Sequence, residues 1–207
     1  MSILKKLATG RSKEPNKKLG QELAAQKDLA AIQEIAENLW NKDKKVQGSC
    51  ISVLEEIGLT APELITAYTA DFLKLLASKN NRLVWGAMIL LSLVAAKRPQ
   101  EIFDQVDVVK KAMETGTVIT LDKGIKTLAI VAEVNETYNK ALFPYLIALL
   151  QTCRKSSVAQ YAESMLYAVT AENQTQYMNV LNQRLDTLSS SQQKRVKKLL
   201  RMLKGQY

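Results

Sequence analysis

Residues 83–96, LVWGAMILLSLVAA, are apolar apart from one glycine and one serine, which leaves no solvated face. A helix that is hydrophobic all round is either a core helix or a membrane span. Its fourteen residues reach only about 21 Å, against roughly 30 Å for a bilayer interior. The stretch therefore reads as a buried helix covered by neighbours on several sides. Asn80 or Asn81 caps it, and Pro99 ends it.

The rest of the chain, from Lys27 onward, continues the helical pattern. Leu29, Ile32, Ile35, Ala36 and Leu39 form one amphipathic face that ends near Asn41. A second helix begins at Asp43, turns Val46, Cys50, Ile51, Leu54 and Ile57 inward, and stops at Gly58. Pro62 opens a third helix that runs to Ser78. Beyond Pro99, helices are predicted from 99 or 100 to 113 with a stop at Gly116, then over 117–135, 140–154, 156–168, 171–188 and 191–204. Pro144 falls near the first turn of its helix. TVITL at 117–121 alternates weakly but runs into a helical pattern, so no strand is predicted. The first 20 residues, with Gly10, Ser12, Pro15 and Gly20 among their charges, read as a flexible basic arm. Within it Ile3, Leu4 and Leu7 could share one side of a short amphipathic turn, although a solvated tail is the preferred reading.

The inner helix of each pair recurs at a spacing of 37 residues. Val46, Cys50, Ile51, Leu54 and Ile57 map onto Leu83, Ala87, Met88, Leu91 and Val94, then onto Thr120, Gly124, Ile125, Leu128 and Val131. A further step reaches Ser157, Tyr161, Ala162, Met165 and Ala168, where the match weakens, and Leu199, Leu200 and Leu203 fit with a one-residue shift. Asp43, Asn80 and Thr117 repeat the cap, while Arg154 breaks the series. A helical hairpin cannot bury two apolar faces alone, so stacked neighbours supply the missing surface. Small residues at Ser49, Cys50, Gly86, Ala87 and Gly124 allow close helix approach.

This period and pattern resemble HEAT and armadillo-like repeats over about residues 27–204, without the recurrent Asp and Arg ladder of a regular HEAT array. The resemblance implies an all-α, right-handed superhelix of about five antiparallel hairpins. Residues 21–207 would form a single helical-repeat domain behind an arm at 1–20. It also implies a non-enzymatic scaffold that holds a protein partner in the groove lined by its inner helices.

Composition sharpens this picture through charge. The formal charge is +9, but residues 1–20 carry +5, residues 184–207 carry +6 and the remainder −2, so the basicity sits at the two ends. Lys194, Arg195, Lys197, Lys198, Arg201 and Lys204 fill much of the last helix opposite Val196, Leu199, Leu200 and Leu203. A terminal repeat needs a polar outer face, but that need does not explain why every charge there is basic. These six are the candidate anion contacts, and nucleic acid bound through its phosphates is the alternative partner. No aromatic interleaves them, which argues against single-strand stacking.

The absence of histidine excludes His-based acid–base catalysis, Ser-His-Asp and Cys-His triads, and the usual His-containing zinc sites. No phosphate-loop, dinucleotide, zincin or nucleophile-elbow motif occurs, and no cofactor is expected. Cys50 and Cys153 lie in apolar helical contexts and read as small buried hydrophobes. Glu55–Glu56 and Glu133–Glu136 read as solvated helix faces. A remote enzymatic alternative is a HEAT-like alkylpurine DNA glycosylase, whose groove uses tryptophans and an aspartate. Trp85 has Ile89 one turn on, and Asp43, three residues after Trp40, looks like a cap. The N-terminus has no secretory signal pattern and the chain no membrane span, so the expected location is the cytoplasm. Leu91→Asp should destabilise the stack by at least about 3 kcal/mol, because a lone buried carboxylate is costly. Thermal melting checks this, and a variant that melted like the parent would refute the central position of residues 83–96.

Overall fold

The computed structural model describes residues 2–10 and 14–205, and its elements there are all helical. They divide into two compact units, residues 1–127 and 128–207.

In the first unit, α1 (Glu14–Gln26) and α2 (Leu29–Glu37) precede the long α3 (Lys44–Thr60). A 3-10 segment, Pro62–Tyr68, leads into α4 (Thr69–Leu75), which pairs with α5 (Asn81–Val94). α6 (Pro99–Asp104) and α7 (Val106–Thr115) lead into α8 (Val118–Glu133), inside which the boundary between the units falls. α3 packs against α1, α2 and α5.

The predicted recurrence holds in the backbone. α3, α5 and α8 begin at Lys44, Asn81 and Val118, 37 residues apart. The caps hold too: Asp43 accepts from the Lys45 amide, Asn80 from the Arg82 amide, and Thr117 Oγ1 from the Thr120 amide. The core follows the same interval. Ile51, Met88 and Ile125, then Leu54, Leu91 and Leu128, then Ile57, Val94 and Val131, are all fully buried. Of the five repeat positions in α3, Val46 is half-buried and the other four are buried.

Several boundaries differ from expectation, each for a local reason. Gly58 does not stop α3. It is buried inside the helix, where an added Cβ would lie 2.7 Å from Ile65 Cδ1 and 2.9 Å from Leu93 Cδ1, so it serves close packing. The stop is Ala61, which leaves the helical region (φ −144°, ψ 68°) because Pro62 follows it. The segment over 99–113 is broken at Gln105, whose amide bonds back to the carbonyls of Ile102 and Phe103.

The arm expected over residues 1–20 is in large part folded. Residues 11–13 of it, with Ser12, lie outside the described residues. Ser2 caps a 3-10 turn at Ile3–Lys6, and Glu34 of α2 accepts from the Ile3 amide and the Ser2 hydroxyl. Asn16, itself buried, donates to the Ala8 carbonyl and accepts from the Ala8 amide, and Ser49 of α3 donates to the same carbonyl. Leu19, Leu23 and Ala24 bury α1 against its neighbours. Lys27, where the helical pattern was expected to begin, is the turn after α1 and has a left-handed φ of 51°. The charges of residues 14–20 hid this helix, because its apolar residues are few and closely spaced only at its end.

In the second unit, α9 (Glu136–Thr152) packs on α10 (Val158–Met165) and α11 (Gln174–Leu185), and α12 (Ser190–Lys204) covers α10 and α11. α9 starts four residues earlier than expected because Asn135 caps it, so Pro144 lies well inside the helix. Tyr161, the bulky substitute for a small repeat residue, is still buried. Polar side chains tie this unit together. Asn139 donates to the carbonyls of Ala132 and Ala168, Asn173 donates to Asn139 Oδ1 and the Ala168 carbonyl, and buried Tyr177 donates to the Ala162 carbonyl.

Gly20 tests the docking of α1. An added Cβ there would lie 2.8 Å from the Val53 carbonyl oxygen and 2.7 Å from Glu56 Cβ. Gly20→Val should cost about 1–3 kcal/mol in chemical denaturation and raise amide exchange across 14–26. Parent-like stability and exchange would mean that α1 is not seated on α3.

Candidate protein-binding face of the inner helices

The side of α5 turned from the core is not closed. Arg82, Trp85, Ile89 and Leu93 recur at helical spacing and are only half-buried. This corrects the expectation that residues 83–96, covered by neighbours on several sides, leave no solvated face. An apolar strip open to water looks the same in sequence as one buried against a neighbour.

α3 lies beside this strip. An added Cβ on Gly86 would fall 2.6 Å from Ile51 Cδ1, so the two helices approach closely there. That approach lets Arg82 of α5 reach α3. Its Nη1 donates to Glu55 Oε1 at 2.9 Å, and its Nη2 donates to Glu55 Oε2 at 3.1 Å and Ser52 Oγ at 2.7 Å. The guanidinium carbon sits 3.8 Å from the centre of the Trp85 ring. Arg82 is thus held by a bidentate carboxylate on one side and stacked on indole by the other. The pair is partly screened from water, with side chains 21% and 18% exposed. Leu59, 64% exposed, adds an uncovered aliphatic near the end of α3. On α8, Ile119 occupies the position equivalent to Arg82 and is 43% exposed.

Glu55, which was expected to be part of a solvated face, is therefore an ordered partner of Arg82. Its neighbour Glu56 accepts from Gln21 of α1. Trp40 is 51% exposed, while Asp43 spends its carboxylate on the α3 cap at 2.7 Å.

The six candidate basic residues all lie on α12 and are all exposed. Val196, Leu199, Leu200 and Leu203 are buried on the opposite side, as expected. Arg195 is set apart from the other five. It donates to both oxygens of Glu163 on α10, at 2.8 and 2.5 Å, and this contact raises its pKa further. Arg184, counted with the basic C-terminal charge, instead closes the end of α9. It donates to the carbonyls of Leu150, Gln151 and Cys153, groups a helix C-terminus leaves without partners. No sequence signal marks either role, because both partners are more than 30 residues away.

No protein-family model matches the chain, and no curated protein matches it. Solved structures do. A designed armadillo repeat protein in complex with the peptide (KR)4 superposes with a TM-score of 0.71 at 13% identity, covering 92% of each chain. An engineered protein gives 0.70 at 19% identity, covering 99% of this chain and all of its own. Kap121p bound to Pho4p gives 0.62 at 15% identity over 94% of this chain, which spans 22% of Kap121p. At these identities the likeness defines the fold: an all-helical armadillo/HEAT-like repeat architecture. Among the described residues, no helix is long and apolar enough to cross a membrane.

The two thiols differ. Cys50 is fully buried in α3, and desolvation pushes its pKa up to about 12. Cys153 is half-exposed at the end of α9, and burial raises its pKa while Arg184 opposes the rise. A thiol reagent at pH 8 should therefore label Cys153 in the native protein and Cys50 only on unfolding. Mass spectrometry of the labelled peptides checks this, and early labelling of Cys50 would contradict its place in the core.

Proposed function

We propose that this protein is a non-enzymatic binding module that holds a segment of a protein partner on the inner-helix face of its first unit. The observation that carries this reading is the strip Trp85, Ile89 and Leu93, only half-buried beside the fixed Glu55–Arg82 pair. Buried aromatic and arginine anchors beside apolar surface dominate the energetics of protein interfaces. Here an indole, an arginine and two aliphatics share one face, and the arginine is already immobilised, so little side-chain entropy is lost on binding. The armadillo-like neighbour seen with a bound peptide supports the same use of the architecture. Glu55 spends both carboxylate oxygens on holding the guanidinium in place, which suits the cluster to recognition.

Peptides selected from a random display library on the parent protein provide the test. Trp85→Ala and Ile89→Asp should each weaken them at least about tenfold while melting within a few degrees of the parent. Loss of an anchor of this kind costs about 2 kcal/mol or more. Unchanged affinity in both variants would overturn the assignment of this face.

A further inference from the structure

The outer face of α12 carries a second, independent feature. Lys194, Lys197, Lys198, Arg201 and Lys204 lie within about 120° of helical arc and extend about 15 Å along the axis. Among the described residues none of the five makes an ion pair with a carboxylate. Arg195, which points off this stripe, is the one basic residue of the helix bonded to a carboxylate, on α10. Neighbouring stripe positions three and four apart crowd like charges together, which costs stability on an isolated helix. Covering α10 and α11 requires of α12 only a polar outer face, and glutamates could share it; none does.

We infer that this stripe is a contact surface for the phosphate backbone of double-stranded nucleic acid. Three features of the face select that partner. The first is its charge. Over about 15 Å a duplex presents roughly nine phosphates, and each cation that neutralises one releases counterions. The second is what the stripe lacks. It carries no aromatic ring on which an unpaired base could stack, so single strands gain only their charge. It also lacks the buried aromatic or aliphatic anchors that give protein partners their affinity. The third is the fate of the apolar face. A basic amphipathic helix binds a membrane by sinking its apolar side into the lipid. Here Val196, Leu199, Leu200 and Leu203 are buried beneath α10 and α11. Met202, 48% exposed, is the one large apolar side chain of α12 left in water. Such backbone contacts read no sequence: they position a duplex beside the repeat.

The experiment is fluorescence anisotropy of the full chain with a random-sequence 20-base-pair duplex, titrated from about 50 to 200 mM salt. Each phosphate contact adds about 0.9 to the slope of log K against log salt. Lys197→Gln/Lys198→Gln should therefore flatten the parent slope by about 1.8 and weaken binding at low salt. Arg195→Gln, which removes a charge already paired with Glu163, should flatten it by less than about 0.5. Trp85→Ala should leave duplex binding unchanged, which separates this surface from the peptide face. Circular dichroism verifies that each variant is folded. The inference is overturned by no duplex binding at 50 mM salt, or by a slope the double substitution does not change. Binding to phosphatidylserine vesicles without duplex binding would overturn it in favour of a lipid surface.

Discussion

The close approach of α5 to α3 governs what the first unit can do. Gly86 has no Cβ, and Ile51 fills the space one would take. A side chain there would push the helices apart, because packed interiors have little slack. Arg82 would then no longer span to Glu55 and Ser52, and its stacking on Trp85 would lose the carboxylate that fixes it. A contact between two apolar groups in the core thus sets the geometry of a polar cluster at the surface. The same contact keeps Ile51, Met88 and their neighbours in the buried register that repeats every 37 residues.

The second unit reaches order by other means. Its inner positions include Tyr161 and Ser157, which interrupt the small-and-apolar pattern. Hydrogen bonds replace what the pattern loses. Asn139, Asn173, Tyr177 and Arg184 each send donors to main-chain carbonyls at helix ends or breaks. Buried donors of this kind must be satisfied or they destabilise. These residues therefore help to specify how α9, α10 and α11 pack.

Charge in this protein has several uses that net charge conceals. Arg82 organises a surface cluster, Arg184 closes a helix, and Arg195 ties α12 to α10. The arginines take the roles in which a planar fork meets two acceptors at once. The uncommitted positions of α12 are nearly all lysine, a point charge on a flexible stem, which suits contact with a partner rather than internal structure.

The sequence by itself determined the helical class, the 37-residue period, most caps and the identity of the inner core. These follow from spacing between residues on one helix, which is local information. Asp43, Asn80 and Thr117 could be read as caps for that reason. The folding of residues 14–20 could not, since it rests on Asn16 and Ser49 meeting at Ala8 and on α1 lying against Val53. Nor could the sequence separate the open strip of α5 from its buried sides, because Ile89 and Leu90 are equally apolar. Only the tertiary structure decided which side met a neighbour and which met water. It also decided which cations were already bound, because a charge is committed by what stands within about 4 Å of it, and those partners come from distant parts of the chain.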